Sequence, residues 1–306
     1  MKRFVTNLFC FAFVAFLIPA VLAFVLPSNP DGFYKVYLKK VKRAETLKKP
    51  RILIFGGSDV LHAIDSKLIQ DSTHRGVANM GLTAALGYDI IVNDALKYSK
   101  EGDVVLLSLG AFARCPAWGG ADEVSMLVNY SPQKLFDLSW NNIKVLGRGI
   151  YCLLKMKLKY LLHSLSSDDI QTYGASTFNE YGDSPKTFET NFVRTPVNAD
   201  TIFSTEQVSF MKSVCRRIRQ IRDKGCVVFI IPETIEKKTF LAMKDRICAV
   251  QHFYKQEGVD YLFSPELSAV PDTMIYNMQY HVNYHGALYY SNLIARRLKT
   301  IMNSSR

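Results

Sequence analysis

"ILIFGGSDVLHAIDSKLI", residues 52–69, runs four apolar residues into two glycines, a serine and an aspartate, and then into a helix-like pattern. A short continuous apolar run ending on glycine reads as a strand covered on both faces. The change of period just after it predicts a strand–turn–helix unit, with a strand over 51–57 and a helix over 59–70. The same rhythm recurs along the chain. "GVANMG" (76–81) is a short second strand followed by a helix over about 84–99, and "VVLLSLG" (104–110) is the strongest strand. "VSFMKSVCRRIRQIRDKG" (208–225) is an amphipathic helix closed by Gly225, and it leads into the buried strand "CVVFIIPE" (226–233). A helix over 236–257, a short strand "DYLF" (260–263) and a last helix over 285–302 complete the series. Alternation of this kind predicts an α/β fold, a three-layer α/β/α parallel sheet of about five strands.

Residues 111–204 interrupt the rhythm, and such a long excursion is usually functional. They read as a helical insertion near the carboxyl ends of the strands, where ligands bind in open α/β sheets. Within it "YCLLKMKLKYLLHSL" (151–165) alternates Lys with Leu as a helix. Two readings fit that helix: packing on the domain, or lying on a membrane surface.

Apolar content of 48% with 21% charged residues in 306 residues is globular composition, with enough chain to bury a core. The uncharged run Phe4–Leu26 is 23 residues long and follows Lys2 and Arg3. It is long enough to span a bilayer. A signal-peptidase site after Val21-Leu22-Ala23 is the rival reading, but the apolar run continues past it, which favours an uncleaved anchor over residues 1–27. Lys2 and Arg3 favour an inside N-terminus, whereas the downstream basic cluster pulls the other way. The short signal-like N-terminal position decides for a single-pass protein with its main domain outside. The formal charge is +11, concentrated in a basic linker over 28–50 and in Arg216-Arg217-Ile218-Arg219. The linker adjoins the anchor, so membrane lipid headgroups are its expected partner. No zinc spacing, RNP-like segment or aromatic stripe supports nucleic acid. Outside the anchor the cysteines are Cys115, Cys152, Cys215, Cys226 and Cys248, an odd number with no CxxC pair, which points to free thiols and argues against a metal.

Ser58 follows the first strand on Gly56 and Gly57. On this stretch alone it reads as a helix N-cap or as a nucleophile exposed at a sharp turn. "NMGLTAALG" (79–87) sets Gly81 after the second strand, and "NMQYHVNYHGALYYSNL" (277–293) sets His281 just before the last helix. Loops after parallel strands share one edge, so His281 can serve Ser58 as base while the Gly81 N–H faces an oxyanion. Asp59 reads as a favourable charge at a helix start. His285 reads as a helix-start residue, and His62, His74, His163 and His252 as isolated surface or core residues.

Four stretches in this order, "GGSDVLHAID", "VANMGLTAALG", "FNEYGD" (178–183) and "YHVNYHGALYYSNL", resemble the blocks of SGNH (GDSL-type) hydrolases. The chain is similar in particular to the membrane-anchored SGNH-like proteins found with bacterial surface-polysaccharide genes. The resemblance implies a flavodoxin-like sheet and acyl-ester chemistry without metal, nucleotide or other cofactor, with Ser58 as nucleophile and His281 as base. It implies a cell-surface glycan or an acyl donor as partner. Ser58, Gly81 and Asn79 become the oxyanion candidates, and Asn179, Glu180 and Asp183 either line an acceptor site or form an ordinary turn. Two departures stand out. The acid expected three or four residues before the histidine is replaced by Met278 and Asn277, and the third block, "SLGAFA", lacks its asparagine. Asn277 can still accept from the imidazole N–H. The departures leave a rival in view: an inactive scaffold that binds glycan or assists polysaccharide-assembly proteins.

Overall fold

The computed structural model describes residues 2–110, 120–138, 140–163, 174–197 and 200–304. The chain divides into two compact units, Met1–Val36 with Gly119–Ser176, and Tyr37–Trp118 with Thr177–Arg306.

The second unit is an α/β fold with a parallel sheet flanked by helices. Strands β1 (Ile52–Phe55), β2 (Val77–Asn79), β3 (Val104–Leu107) and β4 (Val227–Ile230) are all parallel, in the order β2-β1-β3-β4. The expected fifth strand shortens to a parallel bridge between Tyr261 and Ile230, held by Ile230 N–H to Asp260 O (2.9 Å) and Leu262 N–H to Ile230 O (2.8 Å). Alternate strand residues serve opposite faces. Leu53, Phe55, Val105 and Leu107 pack under α5 (Tyr88–Tyr98), α8 (Thr205–Asp223) and α9 (Lys237–Gln256). Ile52, Ile54, Val104 and Leu106 pack under α3 (Ser58–Ala63), α4 (Ser66–Thr73) and α10 (Tyr284–Ser304). A two-strand parallel pair, β5 (Ile235–Glu236) and β6 (Ala269–Val270), was not legible in the sequence.

The helix expected over 59–70 is two helices. Ile64 is extended, and the Asp65 carboxylate caps α4 by accepting from Leu68 N–H at 3.0 Å. At α8 a reciprocal Ser204/Gln207 capping box starts the helix and Gly225, at φ +82°, closes it.

The segment expected to be a basic linker is instead largely structured. Helix α2 (Val36–Thr46) buries Tyr37, Lys40 and Ala44. Arg43 donates to Val77 O at 2.7 Å and stacks on the Tyr181 ring, and Arg51 forms a buried ion pair with Asp103. The remaining Lys35, Lys39, Lys42, Lys48 and Lys49 are exposed. The second basic run is also engaged in part: Arg217 pairs with Asp89 at 2.7 Å and Arg219 with Glu257 at 3.4 Å.

The first unit contains α1 (Lys2–Val25), α6 (Ala121–Tyr130) and α7 (Trp140–His163). Helix α1 is apolar and long enough to cross a membrane, since its 24 residues span about 36 Å. Helix α7 packs on α6 and on α1. Gly149 permits the first approach, because a Cβ there would stand 2.1 Å from the Ala121 carbonyl oxygen. Lys157 makes the second, donating to Leu26 O at 2.7 Å. The insertion expected over 111–204 is therefore shared: its 119–176 portion groups with the N-terminal helix, and the rest with the sheet.

Cys215 and Cys226 are buried free thiols, Cys152 is half-buried, and Cys10 and Cys248 are exposed. Cys115 lies outside the described residues.

Candidate active site

The chain leaves β1 for β2 on one side and returns to β3 on the other, so the carboxyl ends of β1 and β3 flank the point where the winding reverses. Open α/β sheets place ligands at that point. Gly56 and Gly57 stand there for lack of room: a Cβ would lie 2.3 Å from Val60 Cγ2 at Gly56 and 2.9 Å from the Ala84 nitrogen at Gly57. Ser58 is half-buried and is the first residue of α3. The N-cap is Gly57, and no side chain caps the helix. The capping role that the sequence offered Ser58 is therefore absent. Its N–H belongs to the first turn, where no intrahelical acceptor exists. Asp59 is buried. Its carboxylate accepts from Ser108 Oγ at the end of β3 and from nearby backbone N–H groups, while burial raises its pKa. It ties the turn to the sheet rather than merely favouring a helix start.

His281 sits in a closed bend. Ile275 bridges Val282 antiparallel, Tyr276 N–H donates to His281 O at 2.7 Å, and Asn283 N–H donates to Met274 O at 2.9 Å. The His281 Nδ1 lies 2.9 Å from Asn277 Oδ1, the residue standing where the resemblance places an acid. An amide oxygen only accepts, so Nδ1 carries the proton and Nε2 the lone pair. Nε2 is buried and has no hydrogen-bond partner among the described residues, so it makes no bond to Ser58 Oγ. Catalytic hydrogen bonds commonly tighten only with substrate bound.

His62, read from the sequence as an isolated residue, is buried and its ring packs on His281 with centroids 4.3 Å apart. It follows Ser58 by four residues on α3, so serine and imidazole share a helix face. That i, i+4 spacing was the available signal. Burial lowers the His281 pKa to about 4. Burial, and then the proximity of His281 and Lys186, lowers that of His62. Burial thus favours the neutral form of both rings, the form a general base requires.

Two oxyanion candidates are already engaged. Gly81 N–H donates to Asn79 Oδ1 at 2.9 Å. Asn79, fully buried, donates from Nδ2 to Asp183 Oδ1 at 2.9 Å and to Val60 O at 3.4 Å. The Gly81 N–H thus faces the Asn79 side chain, and that amide points into a structural network. At the end of β3, Gly110 has φ +44°, and a Cβ there would lie 2.6 Å from Tyr88 Oη and 3.0 Å from Glu233 Oε2.

Of the two readings of "FNEYGD", the turn is the one observed. Asn179 Oδ1 accepts from Tyr181 N–H (3.0 Å) and Asp183 N–H (2.9 Å), and Gly182 takes φ +88°. Glu180 is exposed. Asp183 is buried and accepts from Ser66 N–H (2.9 Å), Ser66 Oγ (2.7 Å), Asn79 and Asn179. Lys40 completes the cluster by donating to Asn79 O (2.8 Å) and Gly182 O, and burial brings its pKa down to about 7. Asp183 therefore locks β2, α4 and the turn together. Asp183→Ala strands at least three buried donors, each costing about 1–3 kcal/mol. The expected outcome is a fall of roughly 10 °C in thermal midpoint, with Glu180→Ala unchanged. A fall of a degree or two, read by circular dichroism, would remove Asp183 from the structural account.

His285 packs on Phe188, with centroids 5.6 Å apart. Among the described residues no group of three or more His, Cys, Asp or Glu side chains gathers as a metal set. No protein-family model matches the chain, and no curated protein matches its sequence.

Proposed function

We propose that the chain is an SGNH-like serine esterase or O-acyltransferase, anchored by α1 with its main domain outside the cytoplasm, acting on acyl esters of a cell-surface glycan. The observation that carries this reading is His281: a buried, neutral imidazole with Nδ1 held by Asn277 and a lone pair on Nε2 left without a partner. In this reading the Ser58 hydroxyl passes its proton to Nε2 as Oγ bonds to the acyl carbon. The imidazolium then returns the proton to the departing sugar oxygen as the ester bond breaks. Water or a second hydroxyl repeats the steps in reverse on acyl-Ser58, and no cofactor enters the balance. The Ser58 N–H at the start of α3 supplies one oxyanion donor.

A second reading rests on the engagement of Gly81 N–H and the Asn79 amide. A site with few oxyanion donors suits an inactive scaffold that binds glycan or assists polysaccharide assembly. A fluorophosphonate probe divides the two. Covalent labelling lost in Ser58→Ala supports the enzyme, whereas an unlabelled native protein that still binds glycan supports the scaffold.

A further inference from the structure

Helix α7 has two faces of opposite fate. Val145, Gly149, Leu153 and Lys157, at steps of four, are buried within the unit that also contains α1 and α6. On the other side Trp140, Ile143, Tyr151, Leu158 and Leu162 are uncovered, with Trp140 69%, Tyr151 71% and Leu162 70% exposed. At 3.6 residues per turn these five fall within an arc of about 100°. Lys144, Arg148, Lys155 and Lys159 are exposed along one flank of that stripe. The helix holds no acidic residue at all. A helix that only packed on protein would expose a mixed polar surface here, not an aromatic and aliphatic stripe beside a row of cations.

The surroundings identify the occupant. Helix α7 packs directly on α1, the apolar helix long enough to span a bilayer, and Lys157 grips the carbonyl of Leu26 just past its end. We propose that the uncovered face of α7 lies in the headgroup–acyl boundary of the bilayer that α1 crosses, as a second, interfacial membrane contact selective for anionic lipid. Trp140 and Tyr151 suit that depth, with an apolar ring body and a polar edge. The flanking cations are placed to meet anionic headgroups. A second copy of the chain fits less well, because an antiparallel two-fold pairing of this face would set its row of cations against its own image. The proposal rests on α1 as the span and is independent of the Ser58 chemistry.

The test uses the full chain in floated proteoliposomes, which separates failure of the α1 span from failure of the proposal. Trp118→Phe leaves Trp140 as the sole tryptophan. The bilayers are phosphatidylcholine brominated near the glycerol end of one acyl chain, mixed with phosphatidylglycerol. Trp140 emission is expected to fall by about half or more, because an interfacial helix buries its apolar face about 5–10 Å deep. Replacing Lys144, Arg148, Lys155 and Lys159 together by Gln should weaken that quenching about twofold or more while α1 still holds the protein in the vesicles. A second reporter, Trp118→Phe/Trp140→Phe/Tyr151→Trp, samples the same stripe and guards against a local fault at either position. Unchanged emission in brominated lipid from both reporters overturns the proposal. So does shielding from iodide without bromine quenching, which would assign the face to a second copy.

Discussion

Ser58→Ala is expected to lower turnover of a small acetyl ester by a factor of about 10³ or more, and His281→Ala to do the same, with the double variant no worse than either. Non-additivity is the signature to look for, since in the proposed reaction the two groups serve one proton transfer. The serine change isolates chemistry from stability unusually well. Gly57 occupies the N-cap and Ser58 makes no capping bond, so removing its hydroxyl takes away no helix support. The thermal midpoint should move by no more than a few degrees. His281→Ala does open space beside the His62 ring, so its thermal midpoint must be measured alongside its turnover. Full activity in Ser58→Ala ends the nucleophile assignment. Loss of activity in His281→Ala alone would give the histidine a role with some other nucleophile.

How much of this was legible depended on whether a signal was local. The strands announce themselves: Ile52–Phe55 and Val104–Leu107 are continuous apolar runs buried on both faces, and Val227–Ile230 is a third such run although Val227 is exposed. The Asn277–His281 contact was expected because the resemblance places the orienting residue at that position of the same loop. What stayed hidden is non-local. The basic segment after α1 read as a linker facing lipid headgroups because charge dominates its composition. Yet Lys40 is drawn into the core by the carbonyls of Asn79 and Gly182, distant in sequence. "NEYGD" could be read as a ligand-binding stretch or as a turn, because the partners of Asp183 that fix its role, Ser66 and Asn79, lie more than a hundred residues away. His62 looked isolated for the same reason, since its stacking partner is on the far side of the chain. The engagement of Gly81 N–H was in principle readable, because an Asn two residues before a glycine commonly accepts its N–H in an Asx turn.

Asn277→Asp should raise turnover at neutral pH about tenfold, a gain of about 1.4 kcal/mol in the barrier. The change replaces an amide oxygen by a carboxylate oxygen 2.9 Å from His281 Nδ1, so the imidazole keeps its tautomer while the imidazolium gains a counter-charge. Position 277 is half-buried, which keeps the cost of the new charge small. The same change predicts the pH profile. Burial holds the native His281 near pKa 4, so the acid limb of kcat/KM should fall close to that value. A carboxylate beside the ring raises the pKa by about 1–3 units, and the limb should move up with it. Stability offers an independent check. Between about pH 4 and 6.5 the unfolded native chain binds more protons at His281 than the folded one does, so stability falls as pH is lowered through that window. In Asn277→Asp that loss should shrink, because the folded state now accepts the proton. The two readouts separate the hypotheses. A shifted stability profile without any gain in turnover would show that the carboxylate reached the ring and found no catalysis to improve, which leaves the scaffold reading standing. A gain abolished by His281→Ala would instead show that the weakened partner of His281 limited an enzyme.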